Sequence, residues 1–193
     1  MACSTLTKGR VRPCKDSVGG LRNVYFVDYG SVDFDIDADD IVNAVNGTGA
    51  SATLFKYEVI KGGSSFTQNI QSSIENGTVV FEQVLELSLH KLSAEDHKEI
   101  KLLSFGRPYI FVEDYNGNVF LAGREHGMEV TGGSIATGTA MGDMSGYTLT
   151  FTGMEVSPSQ FVAQATAGTP GGQSDLEAVL ESGVVTIADN TQF

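Results

Sequence analysis

The chain has no tryptophan, two cysteines, three histidines and four prolines, and 12 basic against 24 acidic residues. Each scarcity excludes something. Cys3 and Cys14 lie near one end with neither CxxC spacing nor a partner histidine, which argues against a disulfide scaffold or a zinc ribbon and leaves two reduced packing thiols. His90, His97 and His126 belong to no HExxH pattern, there is no GxSxG elbow, and no Cys–His pair can be inferred to meet. No run approaches the ~20 apolar residues of a membrane-spanning helix. The opening MACSTLTKGRVRPCK places basic residues before no apolar stretch, so no secretory leader is expected, and a soluble protein made in a cytoplasm is. Glu82 and Glu86, four apart on one strand face, stand roughly 13 Å from each other, beyond the ~5–9.5 Å of a glycosidase pair. No catalytic, cofactor or metal residue is assigned.

What is present is β-like. Residues 64–92 (SSFTQNIQSSIENGTVVFEQVLELSLHKL) form two long runs around Glu75-Asn76-Gly77-Thr78. In the first run Phe66, Ile70 and Ile74 share one parity, and Ser65, Thr67, Asn69, Gln71 and Ser73 the other. In the second, Phe81, Leu85, Leu87 and Leu89 oppose Glu82, Glu86, Ser88 and His90, with Gln83 and Val84 interrupting. Period two means a sheet with one dry and one wet face. Asn-Gly supplies the positive-φ positions of a tight hairpin. Arms of about 11 to 14 residues exceed the ~5–6 of an ordinary strand, so the hairpin is expected to extend past its own core. Its wet face carries hydroxyls, amides and carboxylates but no Lys or Arg.

The net charge of −12 is unevenly spread: residues 1–22 carry +4, through Lys8, Arg10, Arg12, Lys15 and Arg22 against Asp16, and the rest −16. A basic arm on an acidic body suits an acidic partner surface such as a second copy. No aromatics interleave the basic residues, and the body repels phosphate, which disfavours a nucleic-acid arm.

Val24–Tyr29 reads as the first strand. Asp33–Asp40 reads as a solvated acidic loop, because neither EF-hand register places Gly and Glu where calcium needs them. Asn46–Ala50 reads as a turn lacking the phosphate-loop pattern, Leu54–Lys61 as a strand, and Ser93-Ala94-Glu95-Asp96 as the cap of one central helix. Ile100, Leu103 and Leu102 form that helix's buried stripe, and Gly106 and Pro108 end it. Asp114–Asn118 turns a second hairpin. Residues 123–146 hold seven glycines and are expected to be a loop that orders against a neighbour, and Tyr147–Met154 alternates as a strand. Thr169–Gly172 is a joint before a capping box at Ser174. The expected organisation is a basic arm (1–22), a β domain (23–164) and a C-terminal extension (165–193) with a short helix and one strand. The fold class is mainly β, a sandwich or partial barrel with one central helix and a long hairpin.

The order of segments resembles the tail-tube and related virion tail structural proteins of phages of Bacteroidetes-type hosts. The likeness rests on Cys14-Lys15-Asp16-Ser17-Val18-Gly19-Gly20-Leu21-Arg22-Asn23-Val24-Tyr25, then Phe55-Lys56-Tyr57-Glu58, then Ser65-Phe66-Thr67 with Asn76-Gly77 between the arms. It continues through Asp114 to Gly123 and Gly146-Tyr147-Thr148, and spans residues 14–155. The Asp33–Asp40 run and the residues after Ala165 have no counterpart in it. The resemblance implies hexameric rings stacking into a tube, with the long hairpins closing one β-barrel in the virion tail, assembled in the host cytoplasm beside other tail or connector proteins. Ser65, Thr67, Asn69, Gln71, Ser73, Glu82, Glu86 and Ser88 would line a lumen that DNA crosses without specific binding. The opposite parity would pack on the helix, and Lys8, Arg10, Arg12, Lys15, Arg22, Gly132 and Gly133 would contact adjacent subunits. A head–tail connector ring or terminator, and a cytoplasmic β-sandwich ligand binder, are the alternative readings.

Overall fold

The structure is a computed structural model describing residues 9–12, 14–49, 51–163, 175–181 and 183–189. Lys8, Cys3, the Thr169–Gly172 joint and Ser174 lie outside the described residues. The elements in chain order are β1 (Leu21–Val27), β2 (Val32–Ile36), β3 (Ile41–Gly47), β4 (Ala52–Glu58), β5 (Ser65–Ser73), β6 (Thr78–His90) and α1 (Ala94–Phe105). They continue with β7 (Tyr109–Asp114), β8 (Val119–Ala122), β9 (Glu129–Ala136), β10 (Gly146–Glu155), β11 (Gln160–Val162), α2 (Asp175–Val179) and β12 (Val185–Asp189). An eight-stranded sheet runs β12-β4-β1-β7-β8-β11-β3-β2, and a four-stranded sheet runs β5-β6-β10-β9. The architecture is mainly β and sandwich-like.

The near-continuous apolar runs of β1 and β7 follow from burial on both faces. Val24, Phe26, Ile110 and Val112 point into a core shared with Leu85, Leu87, Tyr147, Leu149 and Phe151 of the smaller sheet. Tyr25, Val27, Tyr109 and Phe111 point the other way, into a second core with Val42, Val45, Leu54 and Val162. One buried carboxylate lies in this region. Glu113, 4% exposed, accepts from Asn23 Nδ2 (2.7 Å) and Tyr25 Oη (3.0 Å) and pairs with Arg22 at 3.5 Å, so its burial is compensated.

The C-terminal segment belongs to the body. Leu176, Val179 and Val185 are buried in the second core, and β12 pairs in parallel with β4 from Val185↔Ala52 to Asp189↔Lys56. Leu180 bridges Val45, the Glu181 N–H donates to Val45 O at 3.0 Å, and Glu181 Oε2 accepts from Gly47 N at 3.0 Å. These contacts draw the β3 and β12 sides of the large sheet together as a partial barrel. The N-terminal boundary also shifts. Leu21 is buried and Arg22 lies within β1, while Asn116 anchors Val18 through both its N–H (2.8 Å) and its carbonyl (2.7 Å).

Three other local expectations are corrected. Asp33–Asp40 is an exposed acidic turn only from Asp37 to Asp40; its first half belongs to β2, where Val32 is buried and Phe34 and Ile36 pack on the core while Asp33 and Asp35 face outward. The main-chain N–H of Ile41, with that of Asp39 and the Asn43 side chain, holds the Asp37 carboxyl below its ordinary range. Residues 129–136 of the glycine-rich stretch are a strand. The helix cap is as expected, with Ser93 Oγ accepting from Asp96 N at 3.0 Å, but Ile100 is the helix's only buried residue among those described. Leu103 packs against the core, whereas Leu102 is 58% and Phe105 84% exposed.

Integration of the C-terminus has a direct consequence. Leu176 is 0% exposed, so Leu176→Ala is expected to lower unfolding free energy by about 2–5 kcal/mol in urea titrations, where a residue on a detached appendage would shift it by under about 0.5 kcal/mol.

Candidate functional site

The long hairpin forms as the alternation demands. β5 and β6 pair from Ser65↔Glu86 to Ser73↔Thr78, leaving Ile74–Gly77 as the loop, with Gly77 alone at positive φ (+63°). That is a longer connection than a two-residue turn. The register places Ser65, Thr67, Asn69, Gln71 and Ser73 on one face with Glu82, Glu86 and Ser88. It also resolves the interruption in β6. Val84 falls on the polar face and Gln83 on the apolar one, where Gln83 is buried and its Oε1 accepts from Gly123 N at 2.9 Å. Gln68, on the same side, bonds Ser159 through both ends of its amide.

The polar face is wider than the hairpin. β10 pairs with β6 from Gly146↔His90 to Glu155↔Phe81, bringing Thr148, Thr150 and Thr152 beside Ser88, Glu86 and Val84. β9 pairs with β10 in turn, adding Ser134, Gly132 and, past a bulge, Glu129. The result is a four-strand surface of hydroxyls, amides and carboxylates, broken by Val80 and Val84, with no Lys or Arg among these residues. Its polar groups bind each other across strands. Gln71 Nε2 donates to Glu82 at 3.1 Å, Asn69 Nδ2 to Glu82 at 3.4 Å and Ser65 Oγ to Glu86 at 3.4 Å. Ser134 and Thr148 hydroxyls meet at 2.8 Å, and Thr131 and Thr152 at 2.9 Å. Ser88 differs from the other seven sequence-assigned residues. It is 8% exposed, and its Oγ bonds Met144 Sδ at 3.4 Å. Thr148, Thr150 and Thr152 already alternate in sequence. What sequence lacks is the β6–β10 partnership that adds them to the hairpin face.

The apolar face overhangs the core. Phe66 packs against it, but Ile70 is 68%, Ile74 97% and Val79 49% exposed. Ile70 and Ile74 therefore do not pack on α1 as expected. Exposed apolar side chains gathered on one strand face are a surface of the kind that interaction sites use.

The two outer strands, β5 and β9, end the sheet order. Gly132 and Gly133, expected in a loop, lie on the β9 edge opposite Thr150 and Leu149. The basic positions are scattered by comparison. Arg10, Arg12 and Lys15 are exposed in the arm, Lys8 lies outside the described residues, and Arg22 is tied to Glu113.

A groove of ≈ 210 Å³ between α1 and β1 is lined by Phe26, Tyr57, Leu102, Leu103 and Arg107, among others. Burial, then the negative charges of Glu99 and Asp96, push the Tyr57 hydroxyl up to about 12. The groove therefore presents a neutral phenol, with Asp28, Tyr29, Glu99 and Arg107 also on its lining. Compared with models of known families, with curated proteins and with solved structures, the chain matches none.

The β9 edge can be tested by its glycines. A Cβ at Gly133 would sit 2.5 Å from Thr148 O, whereas one at Gly132 meets nothing nearer than Thr150 Cβ at 4.0 Å. Gly133→Ala is expected to cost about 1–3 kcal/mol in thermal or urea unfolding, and Gly132→Ala less than about 0.5 kcal/mol.

Proposed function

We propose that this chain is a virion structural protein, a phage tail-tube subunit forming stacked hexameric rings whose polar lumen conducts DNA. The observation that carries the reading is a sheet with one polar face, one partly exposed apolar face and two edges, β5 and β9, that are unpaired among the described residues. Its strands alternate in direction from β5 to β9. In a cyclic ring of identical copies, β9 of one subunit therefore meets β5 of the next antiparallel, and the polar faces join on one side. Closure removes both edges, which otherwise invite uncontrolled pairing. The outer strands match in length, nine residues for β5 and eight for β9. The same closure carries Ile70, Ile74 and Val79 onto the apolar side of the next subunit, where Ile135 of β9 is 53% exposed.

The chemistry of the inner face suits a conduit. Phosphates bind proteins chiefly through Lys and Arg, with release of counterions. Ser65, Thr67, Asn69, Gln71, Ser73 and the β10 threonines offer no such charge, and Glu82 and Glu86 repel phosphate. The exposed arm cations Arg10, Arg12 and Lys15 supply attraction between acidic bodies stacked ring on ring. Gly132 and Gly133, on the β9 edge, then serve contacts within a ring.

Sedimentation velocity across a concentration series tests this reading. Wild-type protein is expected to assemble, and Ile70→Lys, an exposed position whose replacement shifts monomer stability by under about 0.5 kcal/mol, is expected to stay monomeric with unchanged circular dichroism. Assembly of Ile70→Lys equal to wild type would refute the edge-to-edge contact. Closed single rings that never stack would favour a connector, and wild-type monomers at every concentration would contradict self-assembly. Lys at Gln71 and Glu86 together should leave assembly intact while making the particles retain DNA in gel-shift assays.

A further inference from the structure

Glu155, the last residue of β10, is 2% exposed, and its carboxylate faces a tight turn at residues 123–127. Gly123 and Gly127 shape that turn at φ +72° and +73°, with Gly127 N bonded to Gly123 O at 2.8 Å. A Cβ at Gly123 would stand 2.7 Å from the Gly127 carbonyl carbon, so the turn has no slack. It offers the Glu125 and His126 N–H groups to Glu155 at 3.0–3.2 Å and carries the two side chains beside it. One donor atom from each of Glu125, His126 and Glu155 lies within 4.8 Å of the others.

We propose that these three residues bind a divalent transition-metal ion, zinc by the nature of the donors. One pair of donors already stands at ligand spacing, and the exposed Glu125 carboxylate would close on it. His126 Nδ1 stands 3.4 Å from Glu155 Oε2, longer than the ~2.7–2.9 Å of a charge-assisted hydrogen bond. Two ligands of one tetrahedral zinc, each about 2.0–2.1 Å from the metal, stand about 3.3–3.4 Å apart. Charge points the same way. Among the described residues neither carboxylate is ion-paired with Lys or Arg, so an added dication would neutralise both. Glu125 and His126 are exposed, which leaves a path for entry. The main-chain N–H bonds to Glu155 orient its carboxylate as an outer shell orients a ligand. One imidazole and two carboxylates suit zinc, whereas magnesium favours an all-oxygen octahedron. Bound metal would staple the 123–127 turn to the end of β10, whatever the chain assembles into.

Zinc titration by calorimetry, in a Cys3→Ser, Cys14→Ser background that removes both thiols, tests the site. The expected result is one saturable zinc per chain, an EDTA-reversible rise in Tm of about 5 °C at a hundredfold excess over Kd, and no response to Mg²⁺. His126→Ala and Glu125→Gln, both at exposed positions, should each weaken binding at least about tenfold, and Co²⁺ should give the visible absorption of a tetrahedral centre. Absence of saturable binding, or binding undiminished in both variants, would overturn the assignment.

Discussion

The ladder between β6 and β10 is the constraint on which the rest depends. It runs from Gly146↔His90 to Glu155↔Phe81 without a register shift. Because side chains alternate, that register commits Leu85, Leu87, Leu149 and Phe151 to the core and Thr148, Thr150, Glu82 and Glu86 to the opposite face. A slip of one residue would exchange the two sets and bury carboxylates. The greasy side then seats β1 and β7, whose own two-sided burial builds the second core beneath. β5 and β9 flank the ladder, so their fidelity is inherited from it. Gln83 and Gln68 reinforce it from the apolar side by bonding Gly123 and Ser159 across the layers.

Within this arrangement the hairpin is unbalanced for a lone molecule. Its root is packed, yet Ile70 and Ile74 stand in solvent. Exposure of that kind, beside two edges unpaired among the described residues, is the physical basis for the proposed ring. Closure by copies of the same chain answers both the edge and the greasy face with one contact. On the polar face many of the amides, hydroxyls and carboxylates already bond across strands. That self-satisfaction suits a surface past which a polyanion is proposed to slide.

Much of the local structure was legible in the sequence. The hairpin parity, the Ser93 cap, the Asp114–Asn118 turn and the first strand each follow from short-range rules. The failures share a cause, which is tertiary partnership. β9 hides behind Gly132 and Gly133, which give the strand no side chain to reveal it, although only Gly133 is held to glycine by its close approach to Thr148 and Leu149. β2 hides behind its aspartates, although Val32, Phe34 and Ile36 alternate with them. Leu102 fits a helical stripe but faces a groove, since only part of α1 lies on the sheet. Leu176 and Val185 belong to the extension beyond the Thr169–Gly172 joint, and only the fold shows which strands, β3 and β4, they are set against. For the candidate lumen, the hairpin half was legible and the β9–β10 half was not. The Glu125–His126–Glu155 cluster needed the turn at 123–127 to meet the end of a strand far along the chain.

Negative-stain electron microscopy of the purified protein over a range of concentrations tests the central claim most directly. The account predicts rings or tubes with an open central hole. Compact particles without a hole at every concentration would contradict it.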